Sequence, residues 1–226
     1  MGKAPGGHYI GGAGNMIGWF QLAEPSGTVA IDKSGRNNAT HTGVSLGKPG
    51  VNRLKRASQN DGATTYTNLI ASASLLNGNE GAIGVWATTG AWTDGVARFL
   101  VRIEVNTNNR AWIARAATNN RMFLRHTAGG TDKNITVLTA APPGWFHTLL
   151  TWSLTQNKCD AYFNSISVLE TTNANAWVGT PTTMLIGAGT TTPTLVWNGN
   201  INHVKLYNKW LNPFEVRAIY LEEQLR

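Results

Sequence analysis

Apolar and polar residues alternate with a period of two along most of this chain, the spacing of half-buried β-strands. The cleanest case is 98–105. Phe99, Val101, Ile103 and Val105 fall on one side, and Arg98, Leu100, Arg102 and Glu104 on the other. Further strands are predicted over 17–22, 82–87, 112–115, 122–125, 135–138, 145–154, 158–165, 184–189 and 201–208, with a shorter one within 63–69. Clusters of Gly, Pro, Asn, Asp and Ser separate them, as at 24–27, 106–109, 142–144 and 198–200. Residues 44–60 carry no clear period and read as loop, with a turn at 48–50 and a basic cluster of Arg53, Lys55 and Arg56. The period changes near the C-terminus. Asn212 suits a helix N-cap, Pro213 the first helical position, and Glu215 lies where its side chain reaches back to the cap N–H. Phe214, Ala218, Leu221 and Leu225, together with Val216, Ile219 and Tyr220, then recur at helical spacing as a packing side.

Composition narrows this picture. Only 14% of the 226 residues are charged, which suits short strands joined by polar turns in one large domain. The one cysteine, Cys159, excludes an intrachain disulfide and reads as a small buried hydrophobe. A formal net charge of +7 favours acidic partners such as nucleic acid, anionic glycans or a negative surface. No run approaches the eighteen apolar residues of a membrane span. Residues 1–16 form a glycine-rich arm, flexible or ordered by a partner, ahead of a domain over 17–226; the arm lacks the apolar stretch of a secretory signal.

Three motifs in order carry a resemblance. A Trp19 strand precedes Asp32-Lys33-Ser34-Gly35-Arg36-Asn37-Asn38, a loop closed by Asx- and ST-turns. A Trp145-Phe146-His147 strand precedes a strand ending Tyr162-Phe163-Asn164-Ser165. Leu206-Tyr207-Asn208 then leads to Leu211-Asn212-Pro213-Phe214-Glu215-Val216. This order resembles the laminin G-like domains of the concanavalin A-like lectin and glucanase superfamily. The resemblance implies an all-β fold: a jelly-roll sandwich of two antiparallel sheets with a short C-terminal helix. It also implies that Asn164-Ser165 is a looser turn than usual, since Ser165 stands where the family has Gly. Some relatives bind calcium near the first motif, and Asp32 with Asn37 could supply oxygen ligands, but two are too few for a site of six to eight, so a structural turn is the stronger reading.

Catalytic patterns are absent from the sequence. Retaining glycan hydrolases on this fold use Glu-x-Asp-x-x-Glu on one strand, and no predicted strand here carries two acids at that spacing. The five histidines have no metal-ligand spacing, and no nucleophile elbow occurs. Two sets of binding candidates remain. Arg98, Arg102, Arg115 and Arg125 could share one sheet face, either as a solvated surface or as a site for an acidic partner. Most of the nine tryptophans alternate onto predicted core faces, and Trp92, Trp177 and Trp197, which adjoin turns, are the best candidates for an exposed ring that stacks on sugars.

The expectation is therefore a non-enzymatic binding or assembly module without a cofactor. Its expected partners are virion proteins or cell-surface glycans, in a homo-oligomer or larger assembly. Made without a signal peptide, it fits a bacteriophage particle, as a capsid decoration or tail-associated adhesion protein. The alternatives are a carbohydrate-binding lectin domain, which an excised piece of a secreted protein would fit, and a glycan hydrolase.

Overall fold

A computed structural model of the chain describes residues 15–52, 56–90, 92–118, 120–172 and 175–225. The expected arm at 1–16 lies outside the described residues except for its last two, and so do Arg53 and Lys55. The strands in chain order are β1 (Met16–Phe20), β2 (Val29–Ala30), β3 (Ala39–Thr42), β4 (Ser45–Pro49), β5 (Arg56–Asp61), β6 (Tyr66–Asn68), β7 (Glu80–Ala87), β8 (Arg98–Asn106), β9 (Asn109–Arg115), β10 (Met122–Ala128), β11 (Thr131–Leu138), β12 (Phe146–Ser153), β13 (Lys158–Phe163), β14 (Ile166–Thr171), β15 (Thr183–Ile186) and β16 (Asn198–Tyr207). One helix, α1 (Pro213–Leu225), follows.

These strands form two eight-stranded antiparallel sheets. The first runs β14-β13-β12-β7-β16-β5-β4, with β1 also paired to β16; the second runs β11-β10-β9-β8-β15-β6-β3-β2. The all-β sandwich with a short terminal helix is the expected fold. The stretch read as loop at 44–60 instead supplies β4 and β5 at the edge of the first sheet, where Pro49 ends a strand without costing a ladder bond. β14 was also not anticipated. It is an outer strand with Ile166, Val168 and Leu169 exposed. Leu169 pairs with Ala161 and Ser167 with Tyr162, so Val168 is an extra residue bulged out of the ladder.

The apolar interior lies between the sheets. At one end of it the His126 ring stacks 5.0 Å from Trp152 and 5.7 Å from Trp177. Glycines make the room: a Cβ on Gly78 would lie 1.9 Å from the Trp177 ring, and one on Gly81 would lie 2.4 Å from Trp152. Cys159 is buried on the same inner side, and its thiol is pushed up to about 12, first by burial and then by the Asp160 charge.

The C-terminal helix is capped as its sequence requires. Asn212 Oδ1 accepts from Glu215 N at 3.0 Å, and Glu215 Oε2 accepts from Asn212 N at 3.0 Å. Its buried side is narrower than its spacing suggests. Val216 and Ile219 pack against Trp19, Leu149 and Tyr207, whereas Phe214 is 86% exposed and Leu221 is also exposed. The next buried position after Ile219 on this side is a charge. Glu223 lies under the helix, 3.0 Å from Lys205 Nζ, and accepts Trp86 Nε1–H at 2.6 Å.

The β13–β14 hairpin is tight despite Ser165. Asn164 and Ser165 have φ of 48° and 66°, a two-residue turn with both residues left-handed. A serine there carries the Cβ penalty that glycine avoids, so Ser165→Gly is expected to stabilise the domain by about 0.5–1 kcal/mol in urea unfolding.

His126 predicts an acid sensitivity. Burial alone pushes its imidazole down to about 3, so it is neutral in the fold, whereas an unfolded histidine titrates near 6.5. The unfolded state therefore binds the extra proton, and stability falls as pH drops below 6.5 toward the folded value. Between pH 7 and 5 the loss from this residue is about 2 kcal/mol. His126→Phe should remove that part of the pH dependence while urea unfolding remains cooperative.

Candidate functional site

The arginines predicted to share a face divide into two pairs, and a bulge in β8 divides them. Phe99 pairs with Ala114 and Val101 with Ile113, so Leu100 is the extra residue. Phe99 thereby joins Arg102 and Glu104 on the outer face of the second sheet, while Arg98 turns to the inner side with Val101 and Ile103. Arg98 and Arg115 are buried at the end of the sandwich, and both donate to Asp94 in the loop before β8. Arg115, fully enclosed, also donates to the carbonyls of Trp92 and Val96. Although burial opposes it, the donors from Arg98 and Arg115 hold the Asp94 carboxyl down to about 2. This pair is a structural clamp and not a binding surface.

The expectation of exposure fails for all three tryptophans. Trp92, Trp177 and Trp197 retain 7%, 5% and 0% of their surface. Each belongs to the main apolar core. Trp177 joins the His126 stack, and Trp197 donates to the Thr88 carbonyl at 2.9 Å. Asp32 likewise serves its own turn. Its Oδ1 accepts from Trp19 N and Ser34 N, and its Oδ2 accepts from the Ser34 hydroxyl, Arg36 N and Asn37 N. Burial works to raise its pKa, yet these donors keep it below the usual range. With both oxygens engaged and Asn37 contributing a backbone N–H, the calcium reading of Asp32 and Asn37 gives way to a turn. Among the described residues no group of three or more His, Cys, Asp or Glu is arranged for a metal ion.

What remains on the outer face of the second sheet is a plated tryptophan. β8, β9 and β10 pair so that Arg102, Trp112 and Arg125 lie side by side. The Arg110, Arg125 and Arg102 guanidinium carbons lie 4.6, 5.0 and 5.6 Å from the Trp112 ring centre, and Phe99 meets that ring edge-on at 5.0 Å. Trp112 Nε1 is buried without a hydrogen-bond partner among the described residues. Arg102 is held by Glu104 at 2.7 Å.

Beside this platform lies a depression of about 290 Å³ lined by Ala116, Arg121, Phe123, Asn134 and Thr136. The β10–β11 register builds it, since Phe123 pairs with Thr136 and Arg125 with Asn134 on one face. It joins a half-exposed aromatic side to an amide, a hydroxyl and a guanidinium, the groups that recognise a ring with one apolar face and several hydroxyls. The larger depression of about 400 Å³ between the 139–145 loop and β13 is lined mostly by apolar residues such as Val137, Leu138, Pro142, Trp145 and Phe163. The Asn164 side-chain Oδ1 there already accepts from His147 N at 2.8 Å. Trp112, Arg110, Arg121 and Phe123 went unread in the sequence as binding residues; the usable signal was the Gly129-Gly130 turn, whose φ values of 54° and 80° fix the hairpin register.

Among curated protein sequences, none matches this chain. Solved structures do. Domain 4 of the extracellular arabinanase AbnA from Geobacillus stearothermophilus, in complex with arabinotriose, matches with a TM-score of 0.70 at 15% identity, over 91% of this chain and 98% of that one. The binding domain of botulinum neurotoxin serotype D matches at 0.70 and 12% identity, over 95% of this chain and 53% of that one. A Trypanosoma rangeli sialidase in complex with sialic acid matches at 0.68 and 12% identity, over 94% of this chain but only 33% of the enzyme. At such identities these likenesses establish the fold. The family profile of the concanavalin A-like lectin/glucanases superfamily named Laminin_G_3 matches residues 61–217, well over half of the sequence, and the chain belongs to that superfamily.

Proposed function

We propose that this protein is a non-enzymatic carbohydrate-binding module that takes its ligand in the Phe123 depression. The observation that carries the reading is the convergence there of Phe123, Asn134, Thr136 and Arg121 beside the Trp112 platform. The match to an arabinanase domain in complex with arabinotriose, over nearly the whole of that domain, supports a sugar as the ligand class.

The non-enzymatic part rests on how the carboxylates are used. Asp32 and Asp61 close turns, Asp94, Glu104, Asp132 and Glu170 pair with arginine or lysine, and Glu24 pairs with His41. Glu80 and Asp160 accept from Ser153 and Trp210, Glu215 caps the helix, and Glu222 and Glu223 meet Lys205. All twelve acids thus have structural partners, whereas a glycosidase frees two of them to flank a substrate. The setting we propose is adhesion from a virus particle, for which sugar capture is the required activity; capsid or tail genes beside this gene are expected, and secretion genes in their place would count against it.

Calorimetry with oligosaccharides drawn from a glycan array should show Phe123→Ala weakening binding at least tenfold with a small change in melting temperature. Trp197→Phe should lower stability and leave affinity unchanged. Turnover of any bound polysaccharide by the wild-type protein would end the non-enzymatic reading.

A further inference from the structure

If the Phe123 depression is a sugar site, as proposed above, its electrostatics specify the sugar. The Arg125 guanidinium carbon lies 5.0 Å from the Trp112 ring centre and 5.9 Å from that of Phe123, with its side chain only 21% exposed. It makes no hydrogen bond among the described residues, and its Nε is buried without an acceptor. Among the described residues its one ion pair is with Asp132, at 3.6 Å, and the same carboxylate lies 3.9 Å from Arg110. Both separations exceed the roughly 2.7–2.9 Å of a charge-assisted hydrogen bond. Asp132 is itself 42% exposed at the start of β11, where the Thr127 hydroxyl donates to it. Burial and the like charge of Arg110 push Arg125 below its ordinary pKa, with Asp132 opposing them. Two guanidinium groups therefore share one loosely held carboxylate, and Arg121 adds a third cation at the rim of the depression.

We propose that the depression binds a carboxylate-bearing sugar, of the uronic-acid class, whose carboxylate reaches past the lining to Arg125, the cross-strand neighbour of Asn134, and takes the place that Asp132 now fills. A planar guanidinium presents two parallel N–H donors to such a group. Phe123 underlies the apolar face of the sugar ring, and Asn134 and Thr136, across the hairpin from Arg125 and Phe123, meet its hydroxyls. An acidic peptide would use the arginines but would leave that ring-sized combination of aromatic, amide and hydroxyl without a purpose. Asp132 acts as an internal competitor that keeps the arginines neutralised until the ligand arrives.

The test is calorimetry on the full chain with trigalacturonic acid and with its methyl ester, which carries the same ring without the charge. The acid should bind at least tenfold more tightly than the ester, and that preference should shrink between 50 and 200 mM salt. Arg125→Gln should erase the preference, with folding checked by melting temperature. Asp132→Asn, at an exposed position, should tighten acid binding several-fold. Equal affinity for acid and ester, with both lost in Phe123→Ala, would overturn the acidic class while leaving the sugar site standing. Failure of both to bind would overturn the inference, and the sugar-site reading would fall with it only if neutral oligosaccharides also failed. An unchanged or weakened affinity in Asp132→Asn would remove the competitor role. Displacement of the acid by oligoglutamate at equal carboxylate concentration would reassign the site to acidic peptides.

Discussion

The Asp94 carboxylate, gripped by two buried guanidinium groups, is the contact on which the arrangement of the outer arginine face depends. Arg115 is enclosed entirely, and a buried cation stripped of its partner costs about 3–5 kcal/mol. Asp94 removes that cost, and in doing so it ties the loop before β8 to the ends of β8 and β9. It also decides which arginines are left over. With Arg98 and Arg115 drawn to the inner side, Arg102, Arg110 and Arg125 make up the outer plating of Trp112. Inward and outward arginines thus sit at neighbouring positions of the same strands, sorted by one bulge and one carboxylate.

Much of the fold was legible because it is written locally. The Asn212–Glu215 capping pair, the alternation of β8 to β13 and the Asp32 turn each depend on residues a few positions apart, and each formed as its chemistry requires. The parity of β8 was the exception. A one-residue slip at Leu100 exchanges the faces of Arg98 and Phe99, and nothing in the alternating pattern marks it. The tryptophans were misread for a related reason. Trp92, Trp177 and Trp197 adjoin turns, but their rings turn inward and join the main apolar core. The matching sign was present at a distance, in Gly78 and Gly81, which give up side chains so that Trp177 and Trp152 can approach. The candidate site was hidden because Phe123 and Thr136 are far apart in sequence and meet only through the hairpin register.

The two faces of the molecule use charge in opposite ways. Under the C-terminal helix, Glu223 and Lys205 are buried together with Trp86, and Val216 and Ile219 fill the space around them. A pair so enclosed orients the helix and has no surface left to offer a ligand. On the far sheet the ion pairs are looser and partly wet, which leaves them free to exchange partners. Rigid charge thus lies under the helix and at the Asp94 clamp, and looser charge on the outer face of the second sheet around Asp132.

The bulge at Val168 bears on solubility. β14 offers an outer edge with three exposed apolar side chains and neither lysine nor proline to discourage a second strand from adding to it. The extra residue breaks the regular row of donors and acceptors at the middle of that edge and twists the strand there. A sheet edge interrupted in this way is a poor template for stacking one copy onto the next, so a single inserted valine protects the protein from growing into fibres at high local concentration.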